Sequence, residues 1–212
     1  MKQIILAVII VTTILACNSN NTTKTNAYTA TRESTITSAT PTVDSTTYIA
    51  FAHKVVAALA SKDYAQLTAL SDSATPITLS PYGYIDTATA MQLMPAVMVD
   101  LLGKPMHKQL YWGNQDGSGS KIYLKIADYF NQYVYNVNFK DSSTTTYNAS
   151  ISKGNSKNNI AEVFTASKYI EYYKAGTNPK YDGMDWNALR IVIGLKHNKP
   201  YLQAIVHDQW TS

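Results

Sequence analysis

The sequence predicts a single α+β domain, with helices first and a run of antiparallel strands last. Helical spacing of apolar residues is concentrated early in the globular part, whereas the last thirty residues alternate with period two. The length left after a polar amino-terminal segment, about 165 residues, fits one domain. Helices first and strands last is the order of an α+β domain rather than an alternating α/β one.

Residues 1–16 begin with Lys2 and continue as an apolar run from Ile4 to Ala16 that is short for a transmembrane helix, so a secretory signal is expected. The run ends in Ile14-Leu15-Ala16-Cys17, which resembles the lipobox of bacterial lipoproteins. That resemblance implies cleavage before Cys17 and lipidation of its thiol, with the protein exported and anchored to a bacterial membrane on its periplasmic or outer side. Acyl chains contribute about 0.8 kcal/mol per buried methylene, so several together hold firmly. Cys17 is the one cysteine in the chain, which excludes internal disulfides.

From 18 to 47, 19 of 30 residues are Ser, Thr or Asn. Such a tract cannot offset the entropy of ordering its backbone, so residues 17–46 are expected to be a lipidated cysteine and a disordered tether, with an r.m.s. reach of roughly 30 Å. The domain is placed at 47–212. Net charge is +4, charged residues are 15% of the chain, and there are 16 tyrosines. No basic run accompanies that small excess, so nucleic acid is not an expected partner.

In the domain, Asp44 or Ser45 can cap a helix starting near Thr47, with Tyr48, Ala52, Val55, Val56 and Leu59 on one stripe. After a break at Ser61-Lys62-Asp63, a second short helix turns Tyr64, Leu67 and Leu70 inward. A strand is expected over 77–84. Pro95 and Gly103 bracket an apolar helix that lids the core. Strands at 107–112 and 121–124 flank a glycine-rich turn, and Ile126, Tyr129, Phe130 and Tyr133 mark another amphipathic helix. Strands over 145–152 and 166–174 precede the terminal hairpin.

In the hairpin, Leu189, Ile191, Ile193 and Leu195 alternate with Arg190, Val192 and Gly194, and Leu202, Ala204 and Val206 recur beyond the turn. A two-residue turn at His197-Asn198 is expected to pair Gly194 with Tyr201, Val192 with Gln203 and Arg190 with Ile205. One face would then carry the aliphatic set, and the other Arg190, Gln203 and His207.

The stretch Ala58-Leu59-Ala60-Ser61-Lys62-Asp63-Tyr64-Ala65-Gln66-Leu67 followed by a strand resembles the opening of NTF2-like domains. That likeness implies amino-terminal helices, one of them long, packed into a curved antiparallel sheet shaped as a cone, with a pocket between them. Ser80-Pro81-Tyr82-Gly83-Tyr84, Trp112-Gly113 with Asp116-Gly117-Ser118-Gly119, Gly183-Met184-Asp185-Trp186 with Leu189-Arg190, and His207-Asp208-Gln209-Trp210-Thr211 resemble a group of uncharacterised bacterial secreted and lipoprotein domains. No activity comes with that second likeness.

Known chemistries find little support. Asn114, Asp116, Ser118 and Gly119 fit the first half of a calcium loop, but Lys125 stands where a bidentate Glu is needed. His53, His107 and His197 lack partners at zinc-ligand spacing, and nucleophile elbows and phosphate loops are missing. No metal or cofactor is expected. The candidate ligand-binding set is Trp112, Asp116, Asp185, Trp186, Arg190, His207, Asp208 and Trp210, with Glu171 nearby. Arg190 could hold a carboxylate and His207 could serve acid–base chemistry. The preferred reading makes Arg190, Glu171 and His207 a structural ion-pair network, and in an NTF2-like cone Asp185, Asp208 and Trp210 would approach the pocket mouth.

The function expected is a non-enzymatic envelope lipoprotein that binds a small molecule or an envelope protein, a homodimer being compatible with it. The alternative is a pocket isomerase, dehydratase or hydrolase using Asp and His, an idea carried by fold analogy alone.

Overall fold

Asp44 sets the start of the first helix, accepting a hydrogen bond from Thr47 N at 2.9 Å as its N-cap. The helix α1 spans Ser45–Ser61, beginning two residues before Thr47, and ends where Lys62 adopts a left-handed conformation (φ 56°). In this computed structural model, residues 43–105, 107–142, 144–151 and 156–211 are described. The predicted signal, Cys17, almost all of the tether and the turn near Gly154 lie outside them.

A helix within a protein draws most of its stability from packing one face against the rest of the fold. α1 does so by burying Tyr48, Phe51, Ala52, Val55, Val56, Ala58 and Leu59, whose larger side chains each contribute on the order of 1.5–3 kcal/mol. They pack on Ile170, Tyr172, Leu189, Ile191, Ile193 and Ile205, which form one face of the sheet. α2 (Tyr64–Ala69), capped by Asp63, and α3 (Pro95–Gly103) close one side of this core through Leu67 and Met98.

The main sheet contains β1 (Ile77–Ser80), β2 (Met91–Leu93), β5 (Thr144–Tyr147), β6 (Lys168–Lys174), β7 (Asn187–Lys196) and β8 (Lys199–Gln209), in the order β2-β1-β8-β7-β6-β5. β3 (Leu110–Asn114) and β4 (Lys121–Leu124) form a separate two-stranded sheet. The domain is therefore α+β as expected, but its sheet is mixed: β1 runs parallel to β8, Ser80 beside Val206. β1 is shorter than the strand expected over 77–84. Pro81 supplies no N–H for a ladder, and the chain turns away there.

The hairpin turn forms as expected, with His197 and Asn198 both at positive φ, and Gly194 pairs with Tyr201. Beyond Ile193 a bulge shifts the register, so Val192 faces Ala204 and Arg190 faces Val206, not Gln203 and Ile205. Leu189 now lies opposite His207. This places His207 on the α1 side and leaves Arg190 on the other side, so the shared face predicted for them is corrected.

That other side is also buried, because β7 has no solvated face along most of its length. Ile85 and Ile160 from the segments covering it pack on Tyr169, Val192, Ala204 and Val206. The short α5 (Ile160–Val163) belongs to this cover, and Asn159 fastens it by exchanging hydrogen bonds with Ile85 N and O at 2.8 and 3.1 Å. Among the described residues, no helix is long and apolar enough to cross a membrane.

Candidate functional site

Because β1 and β8 are parallel, their carboxyl ends meet at one end of the sheet. There the chain leaving β1 runs over the end of β8, and the β3–β4 sheet and residues 156–157 approach from the sides. These segments enclose a half-open cleft of about 460 Å³, lined by residues 80–84, Asp86, 89–90, 112–116, Ser156, Lys157 and Asp208. Its volume falls in the range of small-molecule sites.

An aromatic stack builds the wall behind the cleft. Trp112 is fully buried, donates from Nε1 to Leu124 O at 2.9 Å, and lies on Tyr129 with centroids 3.8 Å apart and planes 11° apart. Tyr129 follows the start of α4 (Ile126–Tyr129), which continues into a π-helical turn, Phe130–Val134, closed by Tyr135 N donating to Phe130 O at 2.8 Å. Such turns insert a residue into the helical repeat. Here Tyr129, Phe130, Tyr133 and Val134 all point inward. Tyr133 meets both Tyr82 and His207 edge to face, with centroids 5.9 Å apart in each case. Burial pushes the Tyr129 and Tyr82 phenols up, so both stay protonated.

A buried ion network holds the floor at Asp208. Arg190 Nε donates to Glu171 Oε2 at 2.7 Å, and Nη2 donates to Asp208 Oδ2 at 2.7 Å and Ser150 Oγ at 2.8 Å. Glu171 also accepts from Ser150 Oγ at 2.7 Å and Ile151 N at 2.6 Å, and Ser156 Oγ donates to Asp208 Oδ2. Arg190 and Glu171 are inaccessible and Asp208 is 2% exposed. The preferred structural role for Arg190 thus has its partner in Glu171, with full rather than partial burial and with Asp208 added.

Gly83 lies on top of this network. A Cβ there would come within 2.6 Å of Asp208 Oδ2, 2.7 Å of Arg190 Nη1 and 2.8 Å of Lys157 O. The residue is a glycine for want of room. The loop bearing Tyr82 and Tyr84 is thereby seated directly on the charged pair.

His207 does not join the network, since it and Asp208 are consecutive in an extended strand and point to opposite faces. Its Nδ1 donates to Pro81 O at 3.1 Å, as a carbonyl can only accept. Burial lowers its pKa to about 4, with Pro81 and Asp208 acting in the opposite sense. The ring is neutral near pH 7, and its buried Nε2 has no hydrogen-bond partner among the described residues. Among the described residues, no carboxylate pairs with His207.

Of the sequence-predicted set, the cleft contains Trp112, Asp116 and Asp208. Arg190 and His207 lie behind it, on opposite faces of the sheet. Asp185 and Trp186 are elsewhere: Asp185 Oδ2 accepts from Thr177 N and Asn178 N at 3.0 Å, and Trp186 stacks on Tyr173 with centroids 6.0 Å apart. Both organise the loop before β7. Trp210 is 39% exposed and outside the cleft lining, although its neighbour Thr211 donates to Asp116 Oδ2 at 2.8 Å. The approach of Asp185 and Trp210 to a pocket mouth is therefore corrected. The space between α1 and the sheet, where a cone would hold its pocket, is occupied by the main apolar core.

Sequence reasoning missed Tyr82, Gly83, Tyr84, Asp86, Ser156 and Lys157 as site residues. The signal for the first three was present, because a Pro and a Gly two residues apart disagree with a strand and mark a break. Among the described residues, no group of three or more His, Cys, Asp or Glu side chains is placed to hold a metal.

No known family model matches the chain, and no curated protein matches it. Among solved structures, a DUF4783 family protein from Bacteroides ovatus ATCC 8483 aligns with 75% of this chain and 94% of its own at 9% identity, with a TM-score of 0.29. That likeness is too loose to carry an argument about fold or function.

Proposed function

We propose that the protein is an envelope lipoprotein, anchored through Cys17, whose domain binds a small ligand in the cleft at the carboxyl ends of β1 and β8. The observation carrying this reading is the cleft itself: about 460 Å³, half open, with its floor fixed by the Arg190–Asp208 ion pair and its wall by stacked rings. A site on so rigid a base loses little conformational entropy on binding. The lipobox resemblance and the polar tether support anchoring, which would hold the module near a membrane surface. The NTF2-like reading of the fold is supported by α1 packing along one sheet face, while the parallel β1–β8 pair departs from an all-antiparallel cone. No observation favours the enzymatic alternative, because His207 is buried, neutral and turned from the cleft.

A fragment library screened by two-dimensional amide NMR tests the binding reading. Hits should cluster on resonances from residues 80–90 and 112–117. Hits confined to the α2–α3 surface, or none at millimolar fragment, would refute it. Separately, Cys17→Ala should move the protein from the membrane fraction to the soluble one, and retention in the membrane after a salt wash would refute the anchor.

A further inference from the structure

We infer that the cleft selects a small organic cation, an amine, amidine or guanidine carried on a flat body; this rests on the cleft being the ligand site. The sign of its charge is opposite to that of the whole chain. Among the described residues, three carboxylates, Asp86, Asp116 and Asp208, line it against one amine, Lys157, in a protein whose formal net charge is +4.

Asp208 is paired with Arg190, whereas Asp86 and Asp116 are fixed without being neutralised. Asp86 accepts from Ala88 N at 3.0 Å and Thr89 Oγ1 at 2.7 Å, and Asp116 from Gly117 N at 3.1 Å and Thr211 Oγ1 at 2.8 Å. All four donors are uncharged. The ion pairs formed among the described residues join Lys104 to Asp100, Lys196 to Asp72 and Arg190 to Glu171 and Asp208, so neither Asp86 nor Asp116 has a basic partner. A carboxylate offers about four acceptor positions, so two donors on each leave acceptor capacity on two residues of the lining. Behind Asp208, one guanidinium serves two buried carboxylates, so the floor adds negative rather than positive potential.

Aromatic faces complete the match. Tyr84 is 57% exposed although its neighbours Gly83 and Ile85 are buried, and Tyr82 stands beside it in the lining. A cation near a tyrosine ring is attracted by its quadrupole, and most strongly where carboxylates also face it. An anionic ligand would meet the two carboxylates of Asp86 and Asp116 against the one amine of Lys157. A neutral polyhydroxylated ligand could use the same acceptors, but would derive nothing from their charge.

Three probes of nearly equal shape separate these cases: benzamidine, benzamide and benzoate, titrated into the protein at low salt and followed by amide NMR. Benzamidine should shift resonances at residues 82–89 and 113–117 and bind at least about tenfold more tightly than benzamide, with benzoate weakest. Raising the salt should weaken benzamidine and leave benzamide unaffected. Asp86→Asn and Asp116→Asn, which keep an acceptor oxygen for the local turns, should each weaken benzamidine about fivefold. Equal binding of benzamide and benzamidine, or unchanged affinity in both Asn variants, would overturn the charge inference and leave the cleft reading intact. Absence of any benzamidine shift at millimolar concentration would overturn it too, and the neutral members of the fragment library then judge the cleft reading independently.

Discussion

Replacing Arg190 with alanine removes a guanidinium that makes hydrogen bonds of 2.7, 2.7 and 2.8 Å, and strands two carboxylates in the interior. Both carboxylates keep neutral donors, Ser150 and Ile151 for Glu171, Ser156 for Asp208, but lose their cation. Breaking a buried pair by deleting one partner costs about 3–5 kcal/mol, against about 0.5 or less for an exposed side chain. A single domain has roughly 5–15 kcal/mol of stability in total, so Arg190→Ala should lose a large share of it. Equilibrium urea unfolding measures the loss. A second variant separates charge from packing: Arg190→Met combined with Glu171→Gln and Asp208→Asn retains bulk and acceptors while removing all three charges. It should recover part of the deficit, because no charge is then left buried without a partner. A loss below about 1 kcal/mol for Arg190→Ala, or a triple variant no more stable than it, would refute the reasoning.

Other consequences follow from the same geometry. His207 has a folded pKa of about 4 against 6.5 for the free ring, so the unfolded chain binds its proton first as pH falls. Its contribution is complete above about pH 6.5 and lost progressively down to about 4, a difference on the order of 3 kcal/mol; stability curves of wild type and His207→Gln over that window should differ in slope, and identical slopes would contradict the burial argument. Gly83→Ala must displace Asp208, Arg190 or the backbone at Lys157, at about 1–3 kcal/mol, and should weaken fragment binding at the neighbouring tyrosines. A crystal structure of that variant with the 80–84 loop unmoved would show the contact to be softer than argued.

The sequence carried the elements better than the site. α1, α2 and α3 were legible because caps and spacing are local signals: Asp44, Asp63 and Pro95 each act within one turn. The hairpin turn was legible for the same reason. The bulge near Gln203 was not, since it is set by how β8 must fit between β7 and β1, a relation no local pattern contains. One consequence was the misplacement of His207 relative to Arg190. Period-two alternation suggested one solvated face for β7, yet Val192 and Gly194 at the supposedly polar positions already hinted that both faces are covered. As for the cleft, Trp112 and Asp116 lie far before Asp208 in the chain, and the loop of residues 80–84 that lines the cleft with them is set at the end of β8 by the parallel β1–β8 contact, which the expectation of an antiparallel sheet had excluded.

The cleft's claim to be the working site is tested most directly by blocking it. In a Cys17→Ser background, Tyr84→Cys or Val97→Cys provides a thiol at an exposed position, one at the cleft and one on α3, for coupling to a bulky maleimide. Compared with the same unlabelled variants, the label at 84 should abolish the amide shifts produced by benzamidine and by the fragment hits, while the label at 97 leaves them unchanged. Binding that survives at 84, or disappears with the label at 97, would contradict the account.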